Sequence, residues 1–165
     1  MMTDEEVDKG LLILRVIWCA MLASLAIYVF AGLQVAANMQ VSLNQDTLDM
    51  LRKIFYALAG VTLIITRYIK RFVLSAGGRA GPSAQSSESP VLQKYATAMI
   101  IAWALSESIG IYGLVLFLLG KNATDLYLLI LIAAAALLLH RPARDEIMSL
   151  AESSTSGGAA AGLQE

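Results

Sequence analysis

WALSESIGIYGLVLFLLG, residues 103–120, carries a single glutamate inside an otherwise uncharged run. The run extends from Tyr95 to Leu119, 25 residues, and Glu107 is its central residue. A helix of about 20 such residues spans the roughly 30 Å hydrocarbon core of a bilayer. The stretch therefore predicts a membrane-crossing helix with a carboxyl group at mid-depth. An ionised acid there is disfavoured by about 2.5–3.5 kcal/mol on insertion scales, and intramembrane carboxyls are functional candidates by default.

The rest of the chain fits that setting. Of 165 residues, 58% are hydrophobic and 15% charged, against about 25% charged in an ordinary soluble domain. Leu11–Leu33 is a second apolar block of spanning length. The segment before it, MMTDEEVDKG, is acidic where a signal peptide is basic, so the block is expected to be a retained membrane helix. Ile54–Thr66 is weaker, with 13 uncharged residues between Arg52–Lys53 and Arg67. It spans only as a helix of about Leu48–Arg71 with its charged ends snorkelling; otherwise it lies in the interface. LYLLILIAAAALLLH, 126–140, is short unless it takes in the preceding turn GKNATD, where Asp125 or Thr124 is suited to cap it.

These segments predict an all-α, four-span transmembrane protein made of two helical hairpins joined by a flexible linker. The division is an acidic segment 1–10, a first hairpin 11–74, a Gly/Ser/Pro-rich linker 75–92, a second hairpin 93–142 and a disordered tail 143–165. With four spans, Lys9, Arg15, Arg67, Lys70, Arg71, Arg79, Lys94, Arg141 and Arg144 fall on one side, and Arg52, Lys53 and Lys121 on the other. Positive charge collects on the cytoplasmic face, so both termini are expected there, in a setting such as a bacterial inner membrane.

Other chemistry is sparse. A net charge of −1 gives no reason to expect a nucleic-acid partner, and the one cysteine, Cys19, forms no internal disulfide framework. No metal-binding cluster, phosphate loop or nucleophile–base pair is visible, so neither a cofactor nor covalent catalysis is expected. His140 reads as an interface anchor. Trp18, Trp103 and the tyrosines read mainly as packing or belt residues, with Trp103 deep enough to flank Glu107. Asn122–Thr124 matches a glycosylation acceptor only as a three-residue pattern.

An internal similarity bears on Glu107. AMLASLAIYVF, 20–30, aligns with ALSESIGIYGL, 104–114, at an offset of 84, with Ala23 opposite Glu107. Duplication and the shared composition of apolar helices both account for it. On the helix of Glu107, Ala98, Ala102, Ser106 and Gly110 recur every four residues and form a small-residue groove that lets helices approach closely in lipid. Glu107 lies beside that groove, with Ser106 and Ser108 as candidate hydrogen-bond donors in a proton or cation site. Tyr112 is less well placed. Desolvation favours the neutral acid, so Glu107 is expected to rest protonated and to exchange its proton when water or a cation arrives. A structural role, hydrogen-bonding one helix to another, is the alternative.

ALSESIGIYGLVLFLL resembles the carboxylate-bearing helix of the proteolipid c subunit of rotary ATP synthases. The resemblance implies that Glu107 matches the ion-binding carboxylate and that copies of the chain, or other membrane subunits, assemble around it in lipid. It covers 16–25 residues. It departs from the family in placing the acid on the third of four helices, and no glycine-rich companion helix is present. The expectation is a proteolipid-like membrane protein carrying or sensing protons or another cation through Glu107.

Overall fold

A computed structural model of the chain describes residues 4–38, 43–75 and 90–149. The described residues form four long helices: α1 (Asp4–Asn38), α2 (Gln45–Ser75), α3 (Pro90–Gly120) and α4 (Ala123–Leu139). No strand occurs among them. Two helices are long and apolar enough to cross a membrane, over Val7–Asn38 and Tyr95–Gly120, while α4 is apolar but shorter.

Every helix outruns the apolar block that announces it. α1 begins before Leu11 because Val7, Leu11 and Leu14 continue one buried face beyond the block, in a cluster with Ile147. α3 starts at Pro90, a residue suited to the first turn because its missing N–H has no intrahelical partner there. Between α3 and α4 the chain turns at Lys121, which takes φ 52° and returns its N–H to the Phe117 carbonyl at 2.7 Å. The cap of α4 is Asn122, not Asp125 or Thr124: its side chain accepts from the Thr124 N–H. Asp125 is left free for another task.

α3 is the central helix, packed against α1, α2 and α4, and α1 also packs on α4. α3 and α4 thus pack against each other as neighbours in sequence. α1 and α2 make no comparable contact with each other, so the first pair is held together through α3. The expected small-residue stripe is where α3 meets its neighbours: Ala98, Ala102, Ser106 and Gly110 are all buried. A methyl group at Gly110 would stand 2.7 Å from a Leu25 side-chain carbon, and one at Gly113 would stand 2.8 Å from the Leu129 Cβ. Gly110 would also meet Ile130 of α4 at 3.3 Å, so α1 and α4 both come close to α3 on the side that carries these glycines.

α1 runs parallel to α3: Ser24 meets Glu107, Leu25 meets Gly110 and Gly32 meets Leu114 and Phe117. α2 and α4 run the other way, with Phe55 stacked on Tyr112 and Trp103 against His140. The bundle therefore has two ends. One carries Lys9, Arg15, Arg67, Arg141 and Arg144; the other carries Arg52, Lys53 and Lys121.

At the first end, two indoles close α4. Trp18 Nε1 donates to the Leu137 carbonyl at 2.9 Å and Trp103 Nε1 to the His140 carbonyl at 2.7 Å. Helix C-termini leave carbonyls short of intrahelical donors; the Trp103 N–H serves the His140 carbonyl, and the Trp18 N–H joins the His140 N–H on that of Leu137. Trp103 therefore anchors the end of α4 from one turn before Glu107. The chain after Pro142 turns helical again over 144–149, with Ile147 fully buried. The expected tail thus does not begin at 143. Most of the expected linker, and residues 150–165, lie outside the described residues.

Candidate functional site

Glu107 is half-buried on α3, at the level of Ser24 and Tyr28 on α1. Ser24 and Tyr28 are four residues apart, which puts both hydroxyls on one helix face. Ser24 Oγ donates to Glu107 Oε1 at 2.5 Å, and Tyr28 Oη donates to the same oxygen at 2.7 Å. No Lys or Arg pairs with Glu107 among the described residues.

The serines expected to serve Glu107 do other work. Ser106 Oγ donates to the Ala102 carbonyl and Ser108 Oγ to the Leu105 carbonyl, each bond staying on α3. Both hydroxyls are absorbed by their own helix, a common fate of serine in apolar helices. Tyr112 is on the opposite task of stacking against Phe55 of α2, with ring centroids 5.6 Å apart. The donors come from the first copy of the internal similarity, the one whose counterpart to Glu107 is Ala23. A parallel α1–α3 pairing brings Ser24 and Tyr28 to the acid; their i, i+4 spacing on a helix already expected to be parallel was the available sign.

Ser24 has a second acceptor in reach. Its Oγ lies 2.7 Å from the Met21 carbonyl, yet a hydroxyl carries one proton. Two arrangements follow. With Glu107 ionised, Ser24 and Tyr28 both donate to it. With Glu107 protonated, its own O–H can turn to Ser24 Oγ while the serine proton goes to Met21. Both charge states of the acid are therefore hydrogen-bonded without moving the backbone.

A second buried acid is treated differently. Asp125, 6% exposed in the first turn of α4, receives Arg52 Nε and Nη2 on Oδ2 at 2.9 and 2.8 Å and Tyr56 Oη on Oδ1 at 3.0 Å. Arg52 also pairs with Asp49 at 3.3 Å. Arg52 and Tyr56 again stand four apart, on one face of α2. This cluster ties α2 to α4, with the Arg52 guanidinium set against the Asp125 carboxylate. Sequence reading took Arg52 only as a snorkelling end and missed the pair. No group of three metal-ligating side chains occurs among the described residues.

No protein-family model, curated protein or solved structure matches the chain.

Proposed function

We propose that this is a multi-span membrane protein in which Glu107, held by Ser24 and Tyr28, takes up and releases a proton (or another cation) within the bilayer and so carries or senses it. The observation that carries the reading is the contrast between the two acids. Asp125 has a guanidinium beside it, whereas Glu107 has only neutral hydroxyls. A fixed cation would hold a carboxylate ionised; neutral donors able to serve both forms leave it free to exchange.

The surface supports the membrane placement. α1 presents Leu12, Ile13, Val16, Ile27 and Phe30 outward, each more than half exposed. α2 also presents Ile54, Leu58, Val61, Ile64 and Ile65 outward, at 41–60% exposure. Water would penalise such a surface, and lipid accepts it. In this reading all four helices span, the basic end of the bundle faces the cytoplasm together with both termini, and the likeness to the c-subunit carboxylate helix is one of site chemistry around Glu107. Oligomers of this chain, or further membrane subunits, would complete a path for the ion.

The second reading is a structural clamp. It is favoured by the fact that both donors lie on one neighbouring helix, so Glu107 ties α1 to α3. Proton flux into vesicles reconstituted with the purified chain separates the two. Translocation predicts flux from the wild type that Glu107→Gln abolishes while helical content and extraction behaviour are unchanged. Equal flux from both, or none from the wild type, contradicts translocation.

A further inference from the structure

At the basic end of the bundle a groove of about 640 Å³ opens between the start of α1 and residue 144. That volume is within the roughly 300–1,000 Å³ of small-molecule sites. Its floor is apolar, made by Leu11, Leu12, Val16 and Cys19, and its rim carries Arg15, Arg144 and Asp8. Leu12 and Val16 are 64% and 61% exposed. The two arginines come from opposite ends of the described chain and meet here because 144–149 folds back onto α1.

Depth distinguishes this groove from the rest of the apolar surface. Arg15 precedes Ser24 by nine residues, about 13.5 Å along a helix. With the Ser24–Glu107 pair at mid-membrane, Arg15 falls close to the boundary of a hydrocarbon half-thickness of about 15 Å. The helix runs from there toward the centre through Val16 and Cys19. Charge therefore stands at headgroup level and apolar side chains at acyl level, along one continuous groove.

The charge is also of one predominant sign. Arg15 pairs with no carboxylate among the described residues; Arg144, which keeps a further contact of its own, meets Asp8 at 3.7 Å, with both of these side chains substantially exposed. Exposed pairs of that length are weak and exchange readily for a better acceptor. A phosphate diester is such an acceptor, since guanidinium N–H groups match its oxygens in geometry and charge.

We propose that this groove binds an anionic glycerophospholipid, with its phosphate between Arg15 and Arg144 and an acyl chain along Leu12, Val16 and Cys19. The site rests on the membrane placement proposed above and is independent of proton exchange at Glu107. Bound there, the lipid would bridge α1 to the segment after α4.

Native mass spectrometry of the full chain in mild detergent tests it, with phosphatidylglycerol and phosphatidylcholine of equal acyl length offered together. The wild type is expected to retain phosphatidylglycerol preferentially, by about five-fold per guanidinium, the attraction of one basic side chain to an anionic surface. Arg15→Gln combined with Arg144→Gln brings the ratio close to parity. Arg67→Gln, exposed at the same end but outside the groove, leaves it unchanged. Val16→Trp, which fills the floor, lowers retention of both lipids. Equal retention by the wild type, a preference that survives the double substitution, or a second protein copy in place of lipid overturns the site. Alkaline washing of membranes is the parallel control. A chain that washes out refutes the membrane placement, whereas a retained chain without lipid preference refutes only the lipid site.

Discussion

Ser24 and Tyr28 converge on one oxygen of Glu107, and the consequences of removing each partner differ. Interhelical hydrogen bonds in membranes contribute on average about 0.6 kcal/mol. Tyr28→Phe is therefore expected to lower stability by under about 1 kcal/mol in a detergent-unfolding titration, with Ser24 still donating. Glu107→Gln keeps an oxygen acceptor and should also fold. Asp125→Asn is the harsher change, because it leaves the Arg52 guanidinium facing a neutral amide at the α2–α4 contact. A loss of about 1–3 kcal/mol is expected by the same titration, and wild-type stability in that variant would mean the ion pair contributes nothing net. At this scale Glu107 was legible, since one acid stands out in an apolar run. Its partners were signalled only by the i, i+4 spacing of Ser24 and Tyr28, because a serine and a tyrosine 83 and 79 residues away do not by themselves show which helix they face. Ser106 and Ser108, nearest in sequence, misled because a helical serine bonds its own carbonyls first.

At the scale of elements, hydrophobic runs identified all four helices but not their ends. Block length tracks the apolar side chains, while helix length also follows packing outside the block, as Val7 and Ile147 show for the start of α1. The cap of α4 was misplaced for a related reason: Asn122 and Asp125 are both good caps, and only the Arg52 and Tyr56 side chains decide which is engaged elsewhere. Close helix contact gives a test by opposite signs. Gly113→Ala would push a methyl to 2.8 Å from Leu129 Cβ and 3.3 Å from the Leu126 carbonyl oxygen, so it should destabilise the α3–α4 contact. Gly60 has nothing within 4 Å of the same methyl. Gly60→Ala should be neutral or stabilising by up to about 1 kcal/mol through helix propensity. Measured unfolding free energies that rank these two the other way would contradict the packing described. Gly110→Leu, facing Leu25 of α1 and Ile130 of α4, is expected to disturb the fold of the single chain; it is not a probe of oligomer contacts.

For the whole molecule, the pairing of helices was the least legible feature. Short connections favour hairpins, yet α1 lies on α3 and α4, while α2 packs along α3 and reaches α4 through the Arg52 and Tyr56 side chains. The small-residue stripe of α3 accounts for the first part, since Gly110 on it admits both α1 and α4 closely. The arrangement leaves Cys19 exposed on α1, five residues from Ser24 and so about 7.5 Å along the helix. In the membrane reading that thiol is surrounded by acyl chains. A charged maleimide should fail to label it in intact membranes and label it once the chain is unfolded in denaturing detergent. Rapid labelling in the intact membrane would place that face of α1 in water.

Proton exchange at Glu107, as proposed, requires this carboxyl group to change protonation inside the folded bundle. Infrared difference spectroscopy on the reconstituted protein, stepped across the pH range it withstands, reports the carbonyl stretch of a neutral carboxylic acid directly. A band that appears on acidification in the wild type and is missing in Glu107→Gln is the expected result. A difference spectrum identical in the two proteins would contradict the claim and leave Glu107 as a fixed hydrogen-bond clamp between α1 and α3.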